Sequence, residues 1–321
     1  MMRWTCLIAA LLFWQMAGLG RVGPGTDFYV SPSGSDGADG SKAHPWKSLE
    51  KAAQSVLPGN TVHVMAGIYS SSGELKTTAS GTATSRIRYV SEEKWGAKLR
   101  STKTGNSTVW WNQGSYVDIE GFDISGSGAL GIYNTGSFTR IIGNHVHDIP
   151  ALGCPSNGGA GILDGNYAAS DDDITGNTVH DIGDPRTLCV RVHGIYHANL
   201  RGTIRGNVVY HNQGWGIHLW HAASGVTVVG NEVFDNSYGG IVVGADAADF
   251  PGRDGSDDNT IVISNKVYRN GLLDGAHGYG IEEYGSVGEH NRFENNTVYS
   301  NRPADWNLRN KSLQQQLSRA R

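Results

Sequence analysis

Ile141-Ile-Gly-Asn144-His-Val146, Ile174-Thr-Gly-Asn177-Thr-Val179, Ile204-Arg-Gly-Asn207-Val-Val209 and Val228-Val-Gly-Asn231-Glu-Val233 spell one pattern: an apolar residue, two spacers, Asn, one spacer, Val. Val262-Ile-Ser-Asn265-Lys-Val267 and Phe293-Glu-Asn-Asn296-Thr-Val298 continue it, and Ile119-Glu-Gly-Phe122-Asp-Ile124 is a degenerate earlier copy. A Gly-Ile pair follows every copy but the last, at Gly131, Gly161, Gly194, Gly216, Gly240 and Gly280. Successive Asn positions lie 24 to 34 residues apart, a solenoid period. Each piece reads as a short strand cut by Gly and Asn at turns. No single repeat can bury its own apolar face, so stacked coils must share a column of Ile and Val. A repeated corner Asn suits a left-handed turn conformation and can bond to the Asn of the next coil. Helical repeats are excluded because no 3.6-residue apolar stripe runs through the period. The reading is an all-β chain, a parallel β-helix that chirality makes right-handed, with a β-propeller as the competing arrangement.

The flanks agree. Pro45 to Val56 reads as a short amphipathic helix with Leu49, Ala52, Ala53 and Val56 on one face, stopped by Pro58-Gly59. It is expected to cap the open end of the solenoid, whose first coil strand runs from Thr61 to Tyr69. Before it, Arg3, the apolar run from Cys6 to Trp14 and the small residues Ala17, Gly18 and Gly20 have the layout of a signal peptide over 1–20. A signal anchor is the alternative, although the run is short for a bilayer. The expected product is secreted or periplasmic, monomeric and free of membrane once the leader is removed. The solenoid is placed at 27–301. The polar segment 302–321 is read as a C-terminal cap or tail, or as the mark of a last coil cut short, because the final repeat lacks its Gly-Ile strand.

Composition narrows the ligand. Glycine is 45 of 321 residues with only 9 prolines, which excludes collagen and Pro-rich linkers. The formal net charge of −4 offers no basic field to hold nucleic acid. Thirteen Tyr and nine Trp favour a flat polar ligand such as sugar.

The opening of the mature chain is more specific. Phe28-Tyr-Val-Ser-Pro-Ser-Gly-Ser-Asp-Gly-Ala-Asp-Gly-Ser, Pro45-Trp-Lys-Ser-Leu, Pro58-Gly-Asn-Thr-Val-His-Val and Gly67-Ile-Tyr resemble the start of secreted right-handed β-helix proteins of the pectate-lyase-like superfamily. These are notably family nine polysaccharide lyases and their chondroitinase-B and alginate-lyase relatives. The resemblance spans most of 27–301. It implies a polysaccharide substrate cleaved with a basic residue and calcium held by acidic side chains. The chain departs from that pattern, because Lys266 is the only lysine between 104 and 310.

Aligning the Gly-Ile strands identifies a face. With Ile inward, the next residue points outward, giving the row Tyr133, Leu163, Tyr196, His218, Val242 and Glu282. Two positions on, the outward row is Thr135, Gly165, Ala198, Trp220, Gly244 and Tyr284. With rungs about 4.8 Å apart, Tyr196 and His218 are neighbours and Glu282 lies roughly 10 Å from His218. The row between reads Asn134, Asp164, His197, Leu219, Val243 and Glu283. Its polar start is either a buried ladder or a place where the strand turns early and opens on the groove. His193, His197, His211, His218 and His221 fall within two coils, interleaved with Arg191, Arg201 and Arg205.

The catalytic candidates are therefore His218 or His197 as base, Tyr196 as acid, Arg191 or Arg201 as the holder of a uronate carboxylate, and Glu282. Trp220, Tyr284, Tyr133, His221 and Asp164 are candidates for holding the sugar. Zinc on His218 and His221 with His197 or His193 is a competing use of the cluster. Calcium is the other candidate cofactor, on the acidic loop at Asp254, Asp257 and Asp258. The long loops at 150–160 and 182–193 occupy the same place in adjacent coils, which predicts a Cys154–Cys189 disulfide. The expected activity is β-elimination on a uronic-acid glycan, with a glycoside hydrolase, an epimerase or a non-catalytic glycan-binding protein as alternatives.

Overall fold

The computed structural model describes residues 25–154, 158–249, 255–273 and 278–319. The signal-peptide segment and Asp254 lie outside the described residues. Among those described, no helix is long and apolar enough to cross a membrane.

Nearly all pairing is parallel, and the strands stack in three columns. One begins with Asp27–Val30 and Thr61–Val64 and runs through Ser170–Thr175 and Leu200–Arg205 to Arg292–Glu294. The second carries the Asn-x-Val strands, from His145–Ile149 to Thr297–Tyr299, and the third the Gly-Ile strands, from Gly159–Asp164 to Trp306–Asn307. The long strands Ala97–Asn112 and Asp123–Asn134 bend from the second column into the third. The interior is three files of stacked apolar residues, for example Ile141, Ile174, Ile204 and Val228, then Val146, Val179, Val209 and Val233, then Ile132, Ile162, Ile195, Ile217 and Ile241, all buried. This is the parallel β-helix that the repeat requires.

The Asn ladder forms as the repeat predicts. Nδ2 of Asn144, Asn177, Asn207, Asn231 and Asn265 each donates to Oδ1 of the next coil's Asn at 2.9–3.1 Å. The left-handed residue is not the Asn. It is the residue before it, Gly143, Gly176, Gly206 or Gly230, at φ of 60–67°. Glycine takes that conformation without a Cβ clash, which leaves Asn free to turn its amide inward. A second ladder went unread: Asn212, Asn236, Asn270 and Asn301 are linked at 2.9 Å and end on Asp305 at 3.0 Å. Its signal is an Asn five residues after each of Asn207, Asn231, Asn265 and Asn296.

Glycine in the Gly-Ile pair has a different cause. A Cβ on Gly161, Gly194, Gly216 or Gly240 would lie 2.4–2.6 Å from Cγ1 of Val179, Val209, Val233 or Val267, the Val of the Asn-x-Val copy that follows it in the chain. Gly and Ile both face the interior, so the in-out alternation breaks there and the residue before Gly emerges outward.

Helix α1 is Leu49–Ser55, shorter than predicted, because Ser48 is its N-cap and accepts the Lys51 N–H at 3.1 Å. Trp46 instead stacks on Phe28. Leu49, Ala52 and Ala53 join the core beside Val62 and Leu75. At the other end Trp306 takes the place of the core Ile in register with Ile281, and helix α2 (Lys311–Arg319) packs Leu313 and Leu317 against the core.

Candidate functional site

The third column places its outward row as aligned: Tyr133, Leu163, Tyr196, His218, Val242 and Glu282 are successive partners. Over the last five lies a groove of about 770 Å³. Tyr196, His218, Glu282, Arg191, Trp220, Tyr284 and His221 all line it. Residues 190 and 191 of the loop wall one side, and that loop is pinned by the Cys154–Cys189 disulfide, with Cα atoms 5.4 Å apart.

His193, Trp215 and Tyr238 also line the groove. His193 entered the sequence reading only as part of the cluster, and Trp215 and Tyr238 did not enter it. Simple alternation turns positions 193 and 215 inward. The glycine break turns them outward, one residue before Gly194 and Gly216.

The floor is a packed set of rings. His193 stacks on Tyr196 at 4.5 Å, Tyr196 lies 5.0 Å from His218, and Trp215 and Trp220 flank His218 at 5.8 and 5.6 Å. His193 Nδ1 and His218 Nδ1 are 3.0 Å apart, so one donates and the other accepts. The donor ring, when neutral, keeps an Nε2 lone pair that can take a proton. Burial holds His193 down at about 3, with the neighbouring His221 adding to it. Burial, then His193 and His221, hold His218 well below the usual imidazole range. Both rings are neutral at pH 7. His218 is half-buried and keeps one edge on the groove.

Farther along, Trp220 and Tyr284 stack at 5.5 Å and 24°, with Tyr284 61% exposed. This is a flat apolar platform of the kind a sugar face covers. Glu282 is 4% exposed, and burial raises its carboxyl to about 7, partly offset by the Asn307 amide that donates to it at 3.3 Å. His221 stacks on Tyr167 at the margin.

Other expected site residues lie elsewhere. The run Asn134, Asp164 and His197 does not open on the groove. The strand stays extended, so these side chains point inside, where all three are fully buried. Asn112 donates to Asn134, and Asn134 and Asn199 donate to Asp164 at 2.8–2.9 Å. Asp164 Oδ2 sits 2.9 Å from His197 Nδ1, and His197 Nε2 donates to the Arg201 carbonyl. Beside them burial, then Asp164, push the Asp172 carboxyl up to about 10. His197 and Asp164 belong to an internal polar ladder.

Arg201 is on the first column and clasps Asp171 with two hydrogen bonds at 2.8 and 2.6 Å. His211 pairs with Asp181 outside the groove. Tyr133 is on the outward row but stacks on Trp111 beyond the groove's lining.

The acidic loop does not assemble a calcium site from the residues described. Asp257 is fully buried, accepts from Thr260 Oγ1 at 2.5 Å, and is pushed well above the carboxylate range, first by burial. Asp258 is engaged by the ring and backbone of His290 at 2.7 and 2.8 Å.

A solenoid of three parallel columns with an aromatic, histidine-bearing groove over one of them defines the class: a parallel β-helix with a groove on one sheet. The chain belongs to the family described as "Pel9A-like, right handed beta helix region", which matches residues 28–317 and makes the helix right-handed. Among characterised chains it is similar to pectate lyase PEL9 of Emericella nidulans, at 36% identity over 70 residues, 22% of this chain and 17% of that protein. It is also similar to the uncharacterised YwoF of Bacillus subtilis strain 168, at 28% identity over 212 residues, 61% of this chain and 44% of that one. The chain thus spans less than half the length of these relatives. Of solved structures, pectate lyase Pel9A superposes with a TM-score of 0.58 at 16% identity, covering 87% of this chain and 80% of that one. An alginate lyase from Paenibacillus sp. str. FPU-7 gives 0.53 at 19%, covering 81% and 94%. At these identities the superpositions speak to the fold.

Proposed function

We propose that this chain is a secreted polysaccharide lyase that cleaves a uronic-acid-containing glycan by β-elimination in the groove above the Gly-Ile column. The observation that carries the reading is a neutral His193–His218 pair packed against Tyr196, between the Arg191 rim and the Trp220–Tyr284 platform. β-Elimination removes the proton beside the uronate carboxyl, breaks the glycosidic carbon–oxygen bond on the adjacent ring carbon, forms a carbon–carbon double bond between those two carbons and protonates the leaving oxygen. His218 takes the ring proton through its Nε2 lone pair, and Tyr196, one rung away, returns a proton to the leaving oxygen. Arg191 neutralises the carboxylate of the reacting sugar. The Trp220–Tyr284 platform seats a neighbouring sugar, where protonated Glu282 donates a hydrogen bond.

Among the described lining residues Glu282 is the one carboxylate. A hydrolase of the common type needs a pair, and Glu283 accepts instead from Asn291 and the Arg309 N–H. This favours elimination over hydrolysis. The disulfide and the relatives named pectate and alginate lyase support secretion and a polyuronate substrate.

The test is ultraviolet absorbance of the unsaturated product on pectate, alginate, chondroitin, heparin and glucuronan, with added calcium or EDTA. A rise on one polymer, abolished by His218→Ala, is expected, and the EDTA arm decides whether calcium takes part. New reducing ends without unsaturation would replace the reading with a hydrolase. Retention on a polysaccharide gel without cleavage would replace it with a binding protein.

A further inference from the structure

A second histidine cluster lies on the Asn-x-Val column, outside the groove. We propose that Asp123, His145 and His147 form a binding site for one divalent transition-metal ion of the zinc class.

One ligand atom from each lies within 4.8 Å of the others. Asp123 and His145 are partners in adjacent rungs. His145 and His147 stand two apart on one strand, so both rings leave the same face. The side chains are 10%, 19% and 15% exposed, sheltered yet reachable from solvent.

The hydrogen-bond inventory points to a cation. His180 Nδ1 donates to Asp181 at 2.5 Å, so its Nε2 accepts when the ring is neutral. His145 Nε2, 2.8 Å away, is then the donor, which leaves the His145 Nδ1 lone pair facing Asp123 Oδ2 at 2.9 Å. His147 Nδ1 donates to Asp148 at 2.7 Å, so in the neutral ring, the form that binds a metal, the Nε2 lone pair also faces the Asp123 carboxylate, at 3.3 Å. Two imidazole lone pairs and a carboxylate thus converge. Arg100 is ion-paired with Oδ1 of that carboxylate, whereas the oxygen facing His145 is Oδ2.

A metal ion there resolves all the contacts, and each ligating ring already has an outer partner for its other nitrogen, His180 for His145 and Asp148 for His147. That is the usual support of a metal-bound histidine. Two nitrogens and one oxygen suit Zn²⁺, Co²⁺, Ni²⁺ or Cu²⁺ and not calcium, which requires six or more oxygens. Three protein ligands leave a fourth position for water. The ion would tie the coil of Asp123 to that of His145, with Trp95 stacked on His145 at 4.7 Å as a built-in fluorescence reporter.

The experiment uses untagged, chelator-stripped full chain titrated with Co²⁺ followed by its visible absorption, and with Zn²⁺ by calorimetry and by the thermal midpoint. One equivalent is expected, with a raised midpoint and quenching of Trp95 fluorescence by Co²⁺. His147→Gln and Asp123→Asn, checked for folding by circular dichroism, should each weaken binding at least tenfold, and His218→Ala should leave it unchanged. Binding below half an equivalent, binding that survives His147→Gln, or binding lost with His218→Ala would overturn the site. Because His147 is on the surface of the coil, its Gln variant keeps the test valid if Asp123→Asn misfolds.

Discussion

Two faces of one solenoid carry histidine clusters built from the same residue type and held in different electrostatic settings. On the Gly-Ile face, His193 and His218 have each other and aromatic rings as neighbours, so burial keeps them neutral. On the Asn-x-Val face every ring has a carboxylate at hand: Asp123 for His145, Asp123 and Asp148 for His147, Asp181 for His180. There His147 is raised, chiefly by Asp123, and Asp123 is held far below the carboxylate range by His145, His147 and Arg100 against its burial. A buried imidazole without a counter-charge stays neutral; beside two carboxylates His147 gains proton affinity, whereas at His180 burial outweighs Asp181 and lowers it. Neutral histidines suit proton abstraction from a polyanion, and carboxylate-paired histidines suit holding a cation.

The largest expected effect breaks this comparison directly. His218→Ala should lower turnover on the cleaved polymer by about 100-fold or more, the usual scale for a positioned base. His211→Asn, on the opposite face, should leave turnover intact. Equal losses in both would erase the functional distinction between the faces.

The next effect is thermodynamic and has a sign. Burial pushes the Glu282 carboxyl up to about 7 in the folded protein, from an ordinary 4.5. The proton it holds makes its contribution to stability fully present below pH 4.5 and lost as pH rises to about 7. Across that window the loss approaches about 3 kcal/mol. Glu282→Gln should flatten that part of the stability curve in denaturant titrations at pH 4.5 and pH 8. Asp123 on the other face runs the opposite way: its pKa is depressed, so its contribution is present above the ordinary carboxylate range and fades in acid. A wild-type curve with no decline between pH 4.5 and pH 7 would remove Glu282 as a proton holder.

The smallest effect concerns the platform. Trp220→Ala should raise KM about tenfold, roughly 1.4 kcal/mol of lost stacking, with kcat changed much less. A fall in kcat alone would mean that Trp220 shapes the His218 pocket instead of seating sugar.

The repeat was readable because each of its residues has one physical job. Asn is a buried amide in a ladder, Val and Ile fill files, and the register of the Gly-Ile strands follows from counting. That counting placed Tyr196 beside His218, Glu282 two rungs on, and Cys154 against Cys189. It failed where a local exception overrode period two. The Gly before each Ile turns inward against Val, so His193 and Trp215 emerge where simple alternation buries them. The second Asn ladder, five residues after the first, was in the letters but unread. Arg201 was assigned by sequence proximity to the histidines, although the chain turns a corner between His197 and Leu200 and carries it to another column.

By itself, then, the sequence determined the solenoid, its rows and its bridge, since these depend on spacing and on which residues can be buried. Only the tertiary structure decided what the polar groups do. Whether His197 faces water or Asp164, whether Glu282 keeps its proton, and whether His145 meets Asp123 depend on neighbours 20 to 35 residues away. Proton affinity follows the dielectric and charge that those neighbours create, and no spacing along the chain encodes it.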